Sequence, residues 1–275
     1  MRTITPRLRG RLLAAAAAVS LAASVASCGI GARPESSASD SAAAGGTTAG
    51  PAATQAPEST TAAPPSSTPT PTPGKGPACA ADRCASVVVT GDMLVHDQLW
   101  EQARADALAT GAKGLDFGPL LEGQRKYIEQ SDLAICHLET PVAGPTGPFS
   151  SYPSFNVPPQ IITAAQQVGY QACTTASNHT VDRGTAGLVR TLDALDAAGV
   201  QHTGSYRTEA DSQGVLILQT AAAKIAVISA TYGLNGQLPE AAWQVDMLDA
   251  DVMIAKAKKA RDLGADIVLG AMHAG

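Results

Sequence analysis

Four apolar runs of the chain finish in side chains that bind metals or move protons. Asp92 closes SVVVTGD (86–92), His137 and Glu139 close DLAICHLET (132–140), Asn178 and His179 close QACTTASNH (171–179), and His273 lies near the end of DIVLGAMHAG (266–275). Carboxylate oxygen, imidazole nitrogen and amide oxygen together form a donor set suited to a divalent transition metal such as Mn, Zn or Fe, whereas Mg or Ca would be met by oxygen donors almost alone. Such a metal polarises a phosphoryl or carbonyl oxygen and lowers the pKa of a bound water. His179 would then either ligate or protonate a leaving group, since a neutral imidazole does one of these at a time.

Each residue also has an ordinary alternative. Asp92 would serve equally as a cap for the helix that follows. The Asn178–His179 pair lies among turn-forming residues. His96 would face solvent on a helix, and His137 and His202 are at home as plain polar groups. Glu139 is different: it closes an apolar strand just before Pro141, where an unpaired buried carboxylate is costly, so a metal or a partner cation is expected. The recurrence of such groups on successive strand ends outweighs any single one of them.

Strand-like and helical runs alternate, which predicts an α/β domain. A fifth strand-like run, KIAVISATY (224–232), carries no such group. In open α/β sheets the ligand crevice lies beyond the carboxyl ends of the strands, so the side chains above are expected to converge there. GTAGLVRTLDALDAAG places Leu188, Leu192 and Leu195 on one helical face, with Gly184 or Thr185 at its start and Gly199 past its end. PPQIITAAQQVG opens with prolines suited to a first helical turn, and LLEGQRKYIEQS leads into the second strand run. PEAAWQVDMLDADVMIAKAKKARDLG reads as one helix turning Leu248, Val252 and Leu263 inward. Its basic end (Lys256, Lys258, Lys259, Arg261) complements the helix dipole and reads as a solvated face.

The 275 residues are 45% hydrophobic and 16% charged with a net charge of -5, but these averages cover three unlike segments. Residues 1–28 have a basic start (Arg2, Arg7, Arg9, Arg11), an apolar run and small residues before Cys28, which is the layout of an export signal. Val25-Ala26-Ser27-Cys28 resembles a bacterial lipobox, which implies cleavage before Cys28 and a lipid on its sulfur. An ordinary secretory signal cleaved nearby is the alternative. Residues 29–78 are rich in Ala, Ser, Thr, Pro and Gly and lack aromatic residues, so they are expected to form a disordered tether. A flexible coil of about fifty residues reaches roughly 40 Å root-mean-square. Residues 79–275 are long enough for one domain with a substantial core. Their charge balance does not suggest a nucleic-acid partner. Of five cysteines, Cys79 and Cys84 in CAADRC suit a local disulfide, and Cys136 and Cys173 are either a second pair or two buried thiols.

The order GDMLVHDQLW, DLAICHLETPV, YPSFNVP, ASNHTVDRGTAGLVRTLDALDAAGV and DIVLGAMHAG resembles the bacterial CapA family of poly-γ-glutamate capsule synthesis proteins, part of the calcineurin-like metallophosphoesterase superfamily. The resemblance implies an αββα sandwich of two facing sheets, with Asp92, Glu139, Asn178, His179 and His273 lining a metal-type site. Members commonly have Asn two residues before the Glu. His137 stands there in this chain, as an added ligand or a polar support. The family domain continues into a Gly-x-His-Pro-His segment that does not follow Gly275, so the domain is expected to be C-terminally incomplete, with a crevice open on one side.

Three functional readings follow. The first is a lipid-anchored protein on the outer face of the plasma membrane, acting in synthesis, transfer or anchoring of poly-γ-glutamate or a related anionic envelope polymer, alongside other capsule-synthesis membrane proteins. The second is a metal-dependent phosphoesterase or amide hydrolase at the cell surface. The third is a binding lipoprotein that keeps the fold without the chemistry.

Overall fold

The computed structural model describes residues 83–275. The expectations for the export signal, for Cys28 and for the tether lie outside the described residues. In chain order the elements are β1 (Val87–Asp92), α1 (Asp97–Thr110), α2 (Gly118–Ile128), β2 (Leu133–His137), α3 (Gln160–Val168), β3 (Ala172–Thr174), α4 (Gly184–Ala197), β4 (Gln201–Thr203), α5 (Glu209–Ser212), β5 (Leu216–Gln219), β6 (Lys224–Thr231), α6 (Ala250–Asp262) and β7 (Ile267–His273). β1 to β4 pair in sequential order as a parallel sheet. A second sheet has β6 at its centre, antiparallel to β5 and parallel to β7.

The period-2 alternation of strand side chains sorts the core into layers. Leu133 and Ile135 of β2 join Ala172, Leu218, Ile225 and Val227 in a cluster between the two sheets. Their neighbours Ala134 and Cys136 point the other way, into the large cluster that packs α1 to α4 against the first sheet through Trp100, Leu121, Ile162 and Leu192. On the outer face of the second sheet, Ala226 and Val268 meet Ala260 of α6. The result is the four-layer helix–sheet–sheet–helix sandwich expected from the resemblance. Parallel pairing requires crossovers, and each helical connection of the first sheet returns on the same face.

Cys136 and Cys173 form a disulfide. They are register partners on β2 and β3, so the bond ties neighbouring strands beneath the helices. Cys84 is also disulfide-bonded; the expected pairing with Cys79 lies outside the described residues.

Two readings of the sequence are corrected. The segment before α6 is not helical: Ala242–Gln244 makes a single 3-10 turn, and the chain then runs extended, bridging Val245 to Ser205 and Met247 to Thr231. Asp249 starts the helix instead, its side chain accepting the backbone N–H groups of Asp251 and Val252. Leu248, Val252 and Leu263 are 41%, 46% and 54% exposed rather than turned inward. Nor is the basic end wholly a solvated face, because Lys256 pairs with Asp246 at 2.5 Å and donates to Tyr206 Oη at 3.0 Å. Two short strands, β4 and β5, were not expected. Among the described residues no helix is long and apolar enough to cross a membrane.

Candidate metal centre

Local chain geometry aims each group. In β1 the register slips between Val89, opposite Ile135, and Asp92, opposite His137, so three steps on β1 match two on β2. This bulge turns the end of β1, and Met93 N–H then closes on His137 O at 2.8 Å. Asp92 therefore does not cap α1, whose N-cap residue is His96. After β3 the chain is held by Thr180 Oγ1, which accepts from Ser177 N–H at 2.8 Å and donates to Thr175 O at 2.8 Å. Ser177 Oγ accepts from His179 N–H at 3.0 Å, so Asn178 and His179 are presented on a turn tied to its own backbone. His273 ends β7 in register with Thr231 of β6.

The groups meet. Asp92 Oδ1 lies 3.8 Å from His137 Nε2 and 3.6 Å from His273 Nδ1, and one donor atom from each of the three falls within 4.8 Å of the others. On its other side His273 Nε2 is 3.7 Å from Glu139 Oε1 and 2.8 Å from Asn178 Oδ1. The rings of His137 and His273 stack at 5.0 Å. Asp92, His137, Thr174 and His273 line a hollow of about 210 Å³, with Val89 and Met272 supplying apolar wall.

Electrostatics decide what this arrangement can accept. His137 Nδ1 pairs with Thr174 Oγ1 at 2.8 Å, and Nε2, buried and facing Asp92, has no partner. Burial, reinforced by His273, holds the His137 imidazole down to about 4 against the opposing pull of Asp92, so at neutral pH the ring carries a lone pair. Glu139 is 5% exposed and its Oε2 is likewise unpartnered. Burial and then Asp92 push its carboxyl up to about 7, while His179 opposes and Asp182 adds to the rise. Two buried ligand atoms without hydrogen-bond partners beside the Asp92 carboxylate are costly as they stand. A divalent cation between Asp92 Oδ1, His137 Nε2 and His273 Nδ1 would satisfy the His137 nitrogen and offset the negative charge that Glu139 meets, so these residues fit a metal of the Mn, Zn or Fe class.

Of the residues expected at the site, Asp92, Glu139 and Asn178 each lie within 4 Å of His273, and His137 joins them through the ring nitrogen that faces Asp92. Asn178 enters through His273 rather than beside Asp92. His179 is turned differently: its Nδ1 is 2.7 Å from Asp182 Oδ2, which also accepts the N–H of Phe155 at 2.8 Å. The Phe155 ring lies edge-on to His179 at 4.7 Å and to His96 at 5.2 Å. His179 therefore has only Nε2 to offer to a ligand or a proton. His96 pairs with Ser151 and His202 with Asp196, both away from this group.

Thr174, Asp182 and Asn235 were not singled out from the sequence. Asp182 follows His179 by three residues in SNHTVDRG, a spacing that one helical turn brings together. Asn235 had only the signal of an Asn-Gly pair. Beside His179, a second hollow of about 530 Å³ is lined by Tyr152, Asn178, Asp182, Asn235 and Gln237.

No curated protein matches the chain. Residues 86–275 match the family model described as bacterial capsule synthesis protein PGA_cap, which accounts for the metallophosphoesterase-like sandwich, and the chain belongs to that family.

Proposed function

We propose that this capsule synthesis protein acts at the outer face of the plasma membrane, anchored by a lipid on Cys28, in the synthesis, transfer or anchoring of poly-γ-glutamate or a related anionic envelope polymer, through a metal-type site. The observation that carries the metal is the meeting of Asp92, Glu139, His137 and His273 with two buried donor atoms unsatisfied. Asp92, His137 and His273 would hold the ion, with Glu139 and Asn178 steadying His273. When bound, the metal supplies Lewis-acid polarisation of a phosphoryl or carbonyl oxygen and activation of water. The chain's own part is to position and to move a proton: Asp182 fixes the His179 ring through Nδ1, leaving Nε2 to give or take a proton at the scissile bond.

That His179–Asp182 pair favours a second reading, hydrolysis of a phosphoester or amide at the cell surface, because a buried carboxylate behind an imidazole is the usual support of a general acid or base.

One preparation tests these readings. The chain of residues 1–275, expressed in a bacterial host and fractionated, should be found in the membrane fraction with an acylated Cys28, and should move to the soluble fraction as Cys28→Ala. Purified in detergent, it should hold close to one Mn, Zn or Fe per chain after dialysis, and Asp92→Ala should lose it. Turnover of an aryl phosphate or of γ-linked glutamate oligomers that vanishes in His179→Ala supports hydrolysis. A metal-free wild-type chain that turns over nothing would leave only the binding role.

A further inference from the structure

We infer that Asn235 is a positioning residue that selects which ring nitrogen of His273 faces Asp92, acting through the side-chain amide of Asn178; the inference rests on the metal-site reading above. Among the described residues Asn235 is the sole non-glycine with positive φ, at 52°, and Gly236 follows at 77°. Both are the central residues of a turn closed by Gln237 N–H on Leu234 O at 2.8 Å, the conformation that Asn-Gly favours. The loop is anchored beneath by Leu234, which is 7% exposed. An Asn in such a turn needs no further role, so the side chain is what distinguishes the two explanations.

That side chain reaches into the site. Asn235 Oδ1 accepts from Asn178 Nδ2 at 3.1 Å. With its Nδ2 so engaged, Asn178 turns Oδ1 to His273 Nε2 at 2.8 Å, and Ser177 Oγ supports the same oxygen at 3.2 Å. An amide oxygen only accepts, so His273 must donate from Nε2 and keep the lone pair on Nδ1, the atom 3.6 Å from Asp92. Asp92 alone would favour the opposite tautomer, with the proton on Nδ1 directed at its own oxygen. If the Asn178 amide turned over, its NH2 would face Nε2 and the Nδ1–H tautomer would win, leaving a proton where a ligand bond is needed. One hydrogen bond outside the crevice thereby sets the protonation pattern inside it. Asn235 Nδ2 also lies 3.5 Å from His179 Nδ1, but that nitrogen already faces Asp182, so this contact is packing.

The test is Asn235→Gly, which retains the positive φ at no steric cost and deletes only the amide. The readouts are the affinity for Mn and Zn by titration and the His273 ring tautomer in metal-free protein, from long-range nitrogen–proton NMR. The wild type should show His273 with its proton on Nε2. The Gly variant should show the Nδ1–H form and bind metal about fivefold more weakly, the worth of a single hydrogen bond, with an unchanged melting temperature. Asn235→Asp, which keeps the acceptor oxygen, should restore the wild-type tautomer and guards against a Gly variant that does not fold. Wild-type ring signals in the Gly variant would overturn the inference. Should the wild type bind no metal, the metal reading fails while the tautomer measurement still decides the role of Asn235.

Discussion

Glu139 is the buried carboxyl of the site whose charge is hardest to hold. Its carboxyl, buried and near Asp92, is raised from 4.5 to about 7, so between those values the folded metal-free protein binds a proton that the unfolded chain has released. By linkage, the stability this confers is fully present below pH 4.5 and is lost as pH rises through 7. In metal-free protein, Glu139→Gln should therefore unfold at higher urea than wild type at pH 8 and at nearly the same urea at pH 4. Equal midpoints at pH 8 would show that Oε2 is better satisfied than its lack of a partner indicates. The side chains of this site were legible in the sequence to the extent that each follows an apolar run. The roles of Thr174, Asp182 and Asn235 were not, because they act on other side chains rather than on a ligand. Which side chain meets His137 Nδ1 or Asn178 Nδ2 is fixed by register and turn geometry, and no spacing rule encodes it.

At the scale of elements, α6 shows what periodicity misses. Apolar residues at Leu248, Val252 and Leu263 suggested a long buried helix, yet of the whole helix only Ala260 is buried. Its attachment to the sandwich relies instead on Lys256, whose ammonium lies against Asp246 and Tyr206 with side-chain exposures of 13% for Lys256 and 12% for Asp246. Burial by itself would lower the lysine, but the hydrogen bonds to Asp246 and Tyr206 outweigh it and raise it. Its stabilisation is thus complete below pH 10.5 and fades only at higher pH. Lys256→Met should cost about 3 kcal/mol at pH 7 by leaving Asp246 buried without its partner. Adding Asp246→Leu should return most of that in urea unfolding. A Lys256→Met variant as stable as wild type would make the pair ornamental. Strands β2 and β6 were readable because both faces are covered, which leaves continuous apolar runs. β4, with the residues QHT, and the four-residue β5 carry too little pattern to be seen in advance.

For the whole domain, the donors come from both layers. Asp92 and His137 end strands of the first sheet, Asn178 follows its third strand, and His273 ends the outer strand of the second sheet. The sheets are otherwise joined through the apolar cluster of Leu133, Ile135, Ile225 and Val227, which lies along the strands rather than at the crevice end. A cation held by Asp92, His137 and His273 would therefore lock the two sheets together at that end, and it would bind only the folded chain. At a hundredfold excess over its dissociation constant such a ligand adds about 2.7 kcal/mol to stability. Because β7, among the described residues, pairs with β6 alone, its amides should exchange before those of β2, which is buried on both faces. Hydrogen exchange followed by mass spectrometry should then show Mn or Zn slowing exchange in peptides covering 267–273 as well as 133–137. In His273→Ala the metal should bind more weakly and protect only the first sheet. Protection confined to the first sheet in the wild type would mean that His273 is no ligand, and that the centre belongs to one sheet alone.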